Sequence, residues 1–180
     1  YLSIGSIDPV YHAIRMVDGI LAHTQTVNSS DMQKVQFTFG SVMDEVKRLV
    51  TITPEFTLST INPETMLYTA RYALLQILVN LINNAIKYND KPHGAVSVSA
   101  TDDGTHYTFR VQDNGPGIKP QYQLKIFEMF STLGTTDRKK KKGTGIGLST
   151  VKKLVEKLNG TISVSSEPGK GSCFEFTIGK

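Results

Sequence analysis

The chain has 180 residues, a formal net charge of +4, and 39% hydrophobic and 20% charged residues. This length gives one domain with a hydrophobic core plus a short appendage. No apolar run approaches the ~20 residues of a membrane helix, and the first residues lack the basic and apolar regions of a signal peptide. We therefore expect a soluble, cytoplasmic segment, whose parent protein can still be membrane-anchored.

The first predicted element is a helix over residues 9–28. Its apolar side chains recur at alternating steps of four and three residues, which is typical of a coiled-coil stripe. The stripe consists of Val10, Ile14, Val17, Leu21 and Thr24. The polar run 28–31 breaks this pattern, so we divide the chain into an N-terminal helix within residues 1–30 and a domain over residues 31–180.

Strands and helices follow through the middle of the chain. We predict strands at 35–39, 56–60 and 66–70, and a helix at 41–50 that is opened by a capping box of Ser41 and Asp44. A long helix covers 71–89. Strands at 95–100 and 107–111 alternate strictly between apolar and polar residues, and Asp103-Gly104 between them indicates a hairpin.

The last third begins with a glycine-bearing loop after Asp113 and a short helix that ends near Lys125. A helix at 148–158 and strands at 161–166 and 173–178 complete the chain. Cys173, the only cysteine, excludes an intrachain disulfide and is expected to be a small buried residue. Helices among mostly antiparallel strands predict an α+β fold: a two-layer α/β sandwich with a mixed, mostly antiparallel sheet and helices on one face.

The long helix carries an unusual polar cluster beside its apolar face. Asn80, Asn84, Lys87 and Tyr88 fall at helical spacing. Asparagine is a poor helix former, so two at positions i and i+4 suggest a function. A solvated helix end explains the cluster equally well.

Two glycine-rich segments follow. In Asp113-Asn114-Gly115-Pro116-Gly117, a carboxylate at a strand end can accept a hydrogen bond from an exocyclic amine, although the segment also fits a plain turn. In Gly143-Thr144-Gly145-Ile146-Gly147, the backbone N–H groups open a helix, where phosphate is favoured. The second segment fits neither a dinucleotide-binding nor a Walker motif.

The basic run from Arg138 to Lys142 leads directly into the second glycine segment. No aromatic residues interleave with it to stack on bases, so we expect a loop near bound phosphates and no nucleic-acid partner. Arg138 and Lys141 are candidates for contact with the γ-phosphate, with plain solvation as the alternative.

In order and spacing, these segments resemble the histidine-kinase branch of the Bergerat-fold ATPases. The N box of that branch is similar to residues 80–88, and its first glycine box to Asp113-x-Gly115-x-Gly117. The F box is similar to residues 127–130, and the second glycine box to 143–148. The resemblance covers roughly residues 32–180 and implies that residues 131–147 form the ATP lid.

The resemblance implies ATP and Mg²⁺ as cofactors and assigns roles to individual residues. Asn84 would bind Mg²⁺ with help from Asn80, and Lys87 would reach the phosphates. Tyr88 would line the nucleotide pocket, and Asp113 would recognise the adenine amino group. The other implied nucleotide contacts are Gly115, Gly117, Gly143, Thr144, Gly145, Gly147, Leu148 and Thr177. Phe127 and Phe130 would hold the lid by packing.

One departure from the wider superfamily bears on the reaction. ATPase clamps of the superfamily carry glutamate where this chain has Asn80, and a carboxamide cannot act as the base that activates water. The resemblance therefore implies transfer of the γ-phosphoryl group to a histidine on a dimerisation helix, and from there to an aspartate on a response regulator. The alternatives are a nucleotide-binding signalling module without kinase output and an ATPase clamp.

The acceptor histidine is not identifiable in this sequence. In the family, the acceptor is followed by an acidic residue and then by proline, and neither His12 nor His23 shows that pattern. Residues 1–30 instead resemble the tail of the dimerisation helix. We therefore expect the acceptor to lie outside this chain, in a parent protein that forms a homodimer.

Overall fold

The computed structural model of the protein describes residues 32–131 and 145–180. The predicted helix at 9–28 and the boundary near residue 30 lie outside these residues. The same holds for four of the predicted phosphate-side residues, Arg138, Lys141, Gly143 and Thr144.

The described residues form seven strands and three α-helices. In chain order these are β1 (Lys34–Thr38), α1 (Phe39–Leu49), β2 (Phe56–Ile61), β3 (Met66–Ala70), α2 (Arg71–Tyr88), β4 (Gly94–Asp102), β5 (His106–Asp113), α3 (Gly147–Lys157), β6 (Ile162–Glu167) and β7 (Gly171–Gly179). The predicted short helix near Lys125 is instead two 3₁₀ turns, Pro120–Tyr122 and Lys125–Phe127.

Five strands form the main sheet in the order β2-β4-β5-β7-β6, and β1 pairs with β3 in a separate two-stranded sheet. β2 and β4 are parallel, and all other pairs in the main sheet are antiparallel. The predicted mixed, mostly antiparallel sheet is confirmed. Its register places Asp113, at the end of β5, opposite Val96 of β4 and Ser172 of β7.

The core lies between one face of this sheet and the helices. Alternation along β5 and β7 turns Phe109 and Phe176 into the core, where their rings stack with centroids 4.8 Å apart. The apolar face of α2, including Leu74, Leu78 and Leu81, is buried against them. Burial of each large side chain contributes about 1.5–3 kcal/mol, which fixes α2 on the sheet. The helices therefore lie on one face, as predicted.

The start of α1 differs from the prediction. Thr38, not Ser41, is the N-cap, and its Oγ1 accepts a hydrogen bond from the N–H of Ser41 at 3.3 Å. Thr38 ends β1 with extended backbone angles, so its hydroxyl faces the first helical turn. Ser41 lies inside the helix, where its Oγ donates to the carbonyl of Thr38.

Cys173 is half-buried on the sheet face opposite the helices, which corrects the expectation of a buried core residue. In β7 it alternates with Phe174, so the two side chains point to opposite faces. Arg110 and Glu175 form an ion pair on the same face as Cys173.

None of the helices in the described parts of the chain has both the length and the apolar character needed to cross a membrane.

Candidate nucleotide-binding site

The polar face of α2 forms the floor of the candidate site. Asn80, Asn84, Lys87 and Tyr88 follow one another along it, and all four are partly buried. The Nδ2 group of Asn80 donates to the carbonyl of Gln76 at 2.9 Å, which fixes the carboxamide and leaves its Oδ1 as an acceptor. The Nζ of Lys87 lies 4.9 Å from the centroid of the Tyr88 ring, a cation–π contact.

The N-terminus of α3 lies directly against this face. A Cβ atom added at Gly147 would lie 3.1 Å from Oδ1 of Asn80 and 3.9 Å from Nδ2 of Asn84. Glycine therefore lets the helix backbone approach the two carboxamides closely. The N-cap of α3 is Ile146, which has no polar side chain to cap the first turn. The N–H groups of that turn can therefore bind an anion.

The segments before and after residues 132–144 meet at Phe130 and Gly145. The N–H of Phe130 donates to the carbonyl of Gly145 at 2.9 Å, and both residues have positive φ angles. Phe127 packs edge-on against Phe174, with centroids 6.3 Å apart. The contact with Gly145 is made by the backbone of Phe130. The Phe130 side chain is 47% exposed, which differs from the expected packing.

Asp113 ends β5 beside the end of α2. Its Oδ1 accepts a hydrogen bond from the N–H of Gly115 at 2.7 Å, which holds the carboxylate in the turn. Burial raises the pKa of Asp113 above its ordinary value, and the N–H groups of Gly115 and Ser172 oppose that rise. The site therefore presents a partly desolvated acceptor that a further hydrogen-bond donor would stabilise in its charged form.

The loop after Asp113 is docked on the turn between β6 and β7. Gly117 has a φ of +73°, and an added Cβ would overlap the carbonyl of Glu167. The carbonyl of Pro116 accepts a hydrogen bond from the N–H of Gly169 at 2.7 Å. The N–H of Ile118 donates to Oγ of Ser166, also at 2.7 Å. Glycine at position 117 therefore lets the loop pack directly against the turn between β6 and β7.

Sequence reasoning missed three polar residues near Asp113. Ser172 is 7% exposed and lies opposite Asp113 in the sheet, and its hydroxyl is 2.9 Å from that of Ser166. Asn114 and the buried Asn89 are joined by a hydrogen bond between their carboxamides. The pairing of the last strand with β5 would have identified Ser172, but alternation along a single strand does not give that register.

Two predicted nucleotide contacts do not join this group. Thr177 lies five residues from Ser172, roughly 17 Å along β7, and pairs with Thr108. Its hydroxyl accepts a hydrogen bond from the N–H of Thr161 on the sheet face opposite the helices. The structure thus places the Thr177 hydroxyl away from Asp113, and a contact between Thr177 and adenine stays a prediction. Leu148 is partly buried against the core, so its side chain serves packing.

The donor atoms suit a magnesium nucleotide. In the described residues, no group of three or more His, Cys, Asp or Glu side chains could hold a metal ion. Mg²⁺ commonly takes a few protein oxygens and completes its octahedron with phosphate and water. The carboxamide oxygens of Asn80 and Asn84, next to a helix N-terminus, fit that binding mode.

Sequence comparisons agree with this arrangement. Residues 69–180 match the family described as histidine kinase-, DNA gyrase B-, and HSP90-like ATPase. The sensor histidine kinase RcsC of Escherichia coli is 39% identical over 105 residues, which are 58% of this chain and 11% of RcsC. The phytochrome-like protein Cph1 of Synechocystis is 35% identical over 168 residues, which are 91% of this chain and 22% of Cph1. The chain thus spans only a small part of each relative.

Solved structures give the same fold. The nucleotide-free catalytic domain of the histidine kinase ThkA matches with a TM-score of 0.67 and 29% identity, over 83% of this chain and 97% of that one. Full-length ShkA in complex with AMPPNP matches in fold with a TM-score of 0.74 and 23% identity, over 98% of this chain and 40% of that one. The chain therefore belongs to the histidine kinase-, DNA gyrase B-, and HSP90-like ATPase family, as a catalytic domain of the histidine kinase type.

Proposed function

We propose that this domain binds Mg·ATP and transfers the γ-phosphoryl group to a histidine on a dimerisation helix outside this chain. The observation that carries the proposal is the contact between two elements. The carboxamides of Asn80 and Asn84 lie against Gly147 at the open N-terminus of α3. An oxygen-rich metal site and an anion site are thereby adjacent, as a metal-bound triphosphate requires.

Within this proposal, each part of the nucleotide has its own recognition element. Asn84 binds Mg²⁺ with Asn80, and Lys87 contacts the phosphates beside the first turn of α3. Tyr88 lines the pocket for the nucleoside. Asp113 accepts a hydrogen bond from the adenine amino group, for which the half-buried carboxylate provides a strong acceptor.

The transfer itself depends on positioning and charge. The bond between the γ-phosphorus and the β,γ-bridging oxygen breaks, a bond from phosphorus to an imidazole nitrogen forms, and ADP leaves. Asn80 stands where a water-activating glutamate would stand in the ATPase clamps, and its Nδ2 is held by the carbonyl of Gln76. A fixed, neutral carboxamide disfavours hydrolysis, because it cannot remove a proton from water.

The partners follow from the same proposal. A separate dimerisation domain supplies the acceptor histidine, a response regulator takes the phosphoryl group, and the parent protein is a homodimer whose kinase domain is cytoplasmic. Residues 1–30 would be the tail of the dimerisation helix. The AMPPNP in the ShkA complex supports an adenine nucleotide as the ligand of this fold.

The binding step is tested by calorimetric titration of ATP with and without Mg²⁺. Asn84→Ala removes one metal ligand, so we expect the ATP affinity in Mg²⁺ to fall by roughly 1.5–3 kcal/mol. The affinity measured without Mg²⁺ should change little. Asn83→Ala is the matched control, since Asn83 is an exposed neighbour on the same helix. If Asn84→Ala retains the wild-type Mg²⁺ dependence, Asn84 is not the metal ligand.

A further inference from the structure

We infer that Asn114 is a positioning residue that sets the selectivity of this domain for adenine, because its side chain fastens the Asp113 loop to the end of α2. This inference rests on the proposed function and extends it to a residue that does not itself contact the nucleotide. We call the contacts of this side chain the Asn114 bridge: Oδ1 with Asn89 Nδ2 and Ala95 N, and Nδ2 with the carbonyl of His93.

The bridge uses the whole carboxamide of Asn114. Its Oδ1 accepts from the Nδ2 of Asn89 at 2.9 Å and from the N–H of Ala95 at 2.8 Å. Its Nδ2 donates to the carbonyl of His93 at 3.0 Å. Three separate segments therefore meet at one side chain: the end of α2, the connection to β4, and the first residues of β4.

The bridge also explains why the chain leaves the sheet at this residue. The backbone N–H of Asn114 donates to the carbonyl of Ala95 at 3.2 Å, while its side chain accepts from the N–H of the same residue. The side chain thus replaces a backbone acceptor that a longer strand would have supplied. The backbone is then free to turn at Gly115, whose N–H donates to the Asp113 carboxylate.

The other end of the bridge is buried. Asn89 is 1% exposed at the C-cap of α2, next to Tyr88, and its Oδ1 accepts from the N–H of Lys91 at 2.9 Å. A Cβ atom added at Gly115 would lie 3.6 Å from the Cα of Asn89, so the loop rests directly on the helix end. A buried and well-satisfied amide pair favours a single geometry.

This geometry separates base recognition from phosphate binding. The bridge fixes the Asp113 carboxylate relative to Tyr88, and both belong to the part of the site assigned to the base. The phosphates are assigned to the N-terminus of α3, which the bridge does not contact. Loss of the bridge should therefore weaken the hydrogen bond to the adenine amino group while leaving the phosphate contacts intact.

The test compares ATP with ITP, which carries an oxygen in place of the 6-amino group. The measured quantity is the ratio of the Kd for ITP to the Kd for ATP, in the full chain with Mg²⁺. For Asn114→Ala we expect this ratio to fall at least about fivefold, chiefly through weaker ATP binding. Asn89→Asp keeps the acceptor for Lys91 but removes the donor to Asn114, and should lower the ratio in the same direction.

Asn62→Gly is the matched control. The Asn62 carboxamide donates to the carbonyl of Ala100 at the far end of β4, away from the Asn114 bridge, and glycine tolerates the φ of 56° at this position. This variant should keep the wild-type ratio. Circular dichroism and thermal denaturation confirm that each variant is folded before it is titrated.

Asp113→Asn separates the two claims. If this variant keeps the wild-type ratio, Asp113 does not read the amino group and that part of the proposed function fails. If Asp113→Asn lowers the ratio but folded Asn114→Ala and Asn89→Asp both keep it, the bridge only stabilises the fold and the inference is overturned.

Discussion

At the scale of one residue, the Asp113 carboxylate that is proposed to bind ATP should also destabilise the nucleotide-free domain. Burial raises its pKa, so the ionised carboxylate is a cost to the folded state when no donor from a ligand is present. The unfolded chain loses this proton at a lower pH than the folded chain does. The free energy of unfolding therefore decreases as the pH rises from the ordinary aspartate pKa of 3.8 through the raised pKa of Asp113.

We predict that Asp113→Asn stabilises the nucleotide-free domain at neutral pH and weakens ATP binding by roughly 1.5–3 kcal/mol. Thermal denaturation as a function of pH measures the first effect, and calorimetry measures the second. The stability difference should vanish below the ordinary pKa of aspartate, where both side chains are neutral. A variant that is less stable than the wild type at neutral pH would show that the cost of burial is not dominant.

The individual residues also show which site assignments can be made from sequence. Asp113, Asn80 and Asn84 could be proposed from the sequence because each occupies a fixed place in a local motif, and their roles stay predictions. The position of Thr177 away from Asp113 was not predictable in this way, and neither was the position of Ser172 beside it. Both positions depend on the pairing of β7 with β5, a contact between segments roughly sixty to seventy residues apart that no local pattern records.

At the scale of elements, the loop after Asp113 depends on one glycine. Gly117 combines a positive φ with direct contact between its backbone and the carbonyl of Glu167, while Gly104 has a φ of +92° and no neighbour within 4 Å of an added Cβ. Gly104→Ala should cost about 1 kcal/mol for the backbone conformation alone. Gly117→Ala should cost more, by about 1–3 kcal/mol, because the loop must also move.

Chemical denaturation of the two variants measures this difference, and ATP titration extends it to function. Gly117→Ala should also weaken ATP binding, since displacement of the loop moves Asp113. Equal losses of stability in the two variants would mean that the β6–β7 turn can shift with no loss of folding free energy. The contact with Glu167 would then not hold the loop.

A second element-scale contact joins the start of α2 to α1 and β1. Arg71 donates to Oγ of Ser41 at 2.9 Å and to Glu45 at 3.0 Å, and its guanidinium lies 4.9 Å from the ring centroid of Phe37. We predict that Arg71→Lys costs about 1–2 kcal/mol in denaturation, because an ammonium cannot reproduce this planar set of contacts. A loss below about 0.5 kcal/mol would show that the contact is mostly solvated.

For the whole molecule, the two-layer architecture was predictable because helices and strands have different hydrophobic periods. The helical period is clear at 71–89, and the strand period is clear at 95–100 and 107–111. Boundaries were less predictable. The N-cap of α1 is Thr38 and not the predicted Ser41, because β1 ends at Thr38 in an extended conformation. The end of β1 depends on the pairing of β1 with β3. The domain boundary near residue 30 and the role of residues 1–30 stay predictions.

The central claim concerns where the γ-phosphoryl group goes. A labelled-ATP assay tests it directly. The chain is incubated with labelled ATP and Mg²⁺, with and without a separate dimerisation hairpin that carries an acceptor histidine. Free phosphate, acid-labile phosphohistidine and ATP are then separated. We predict ATP binding but little free phosphate and no phosphohistidine on the chain alone, and slow formation of phosphohistidine on the added hairpin, because the two parts are not tethered. Rapid release of free phosphate, or no transfer to the hairpin despite ATP binding, would contradict the account.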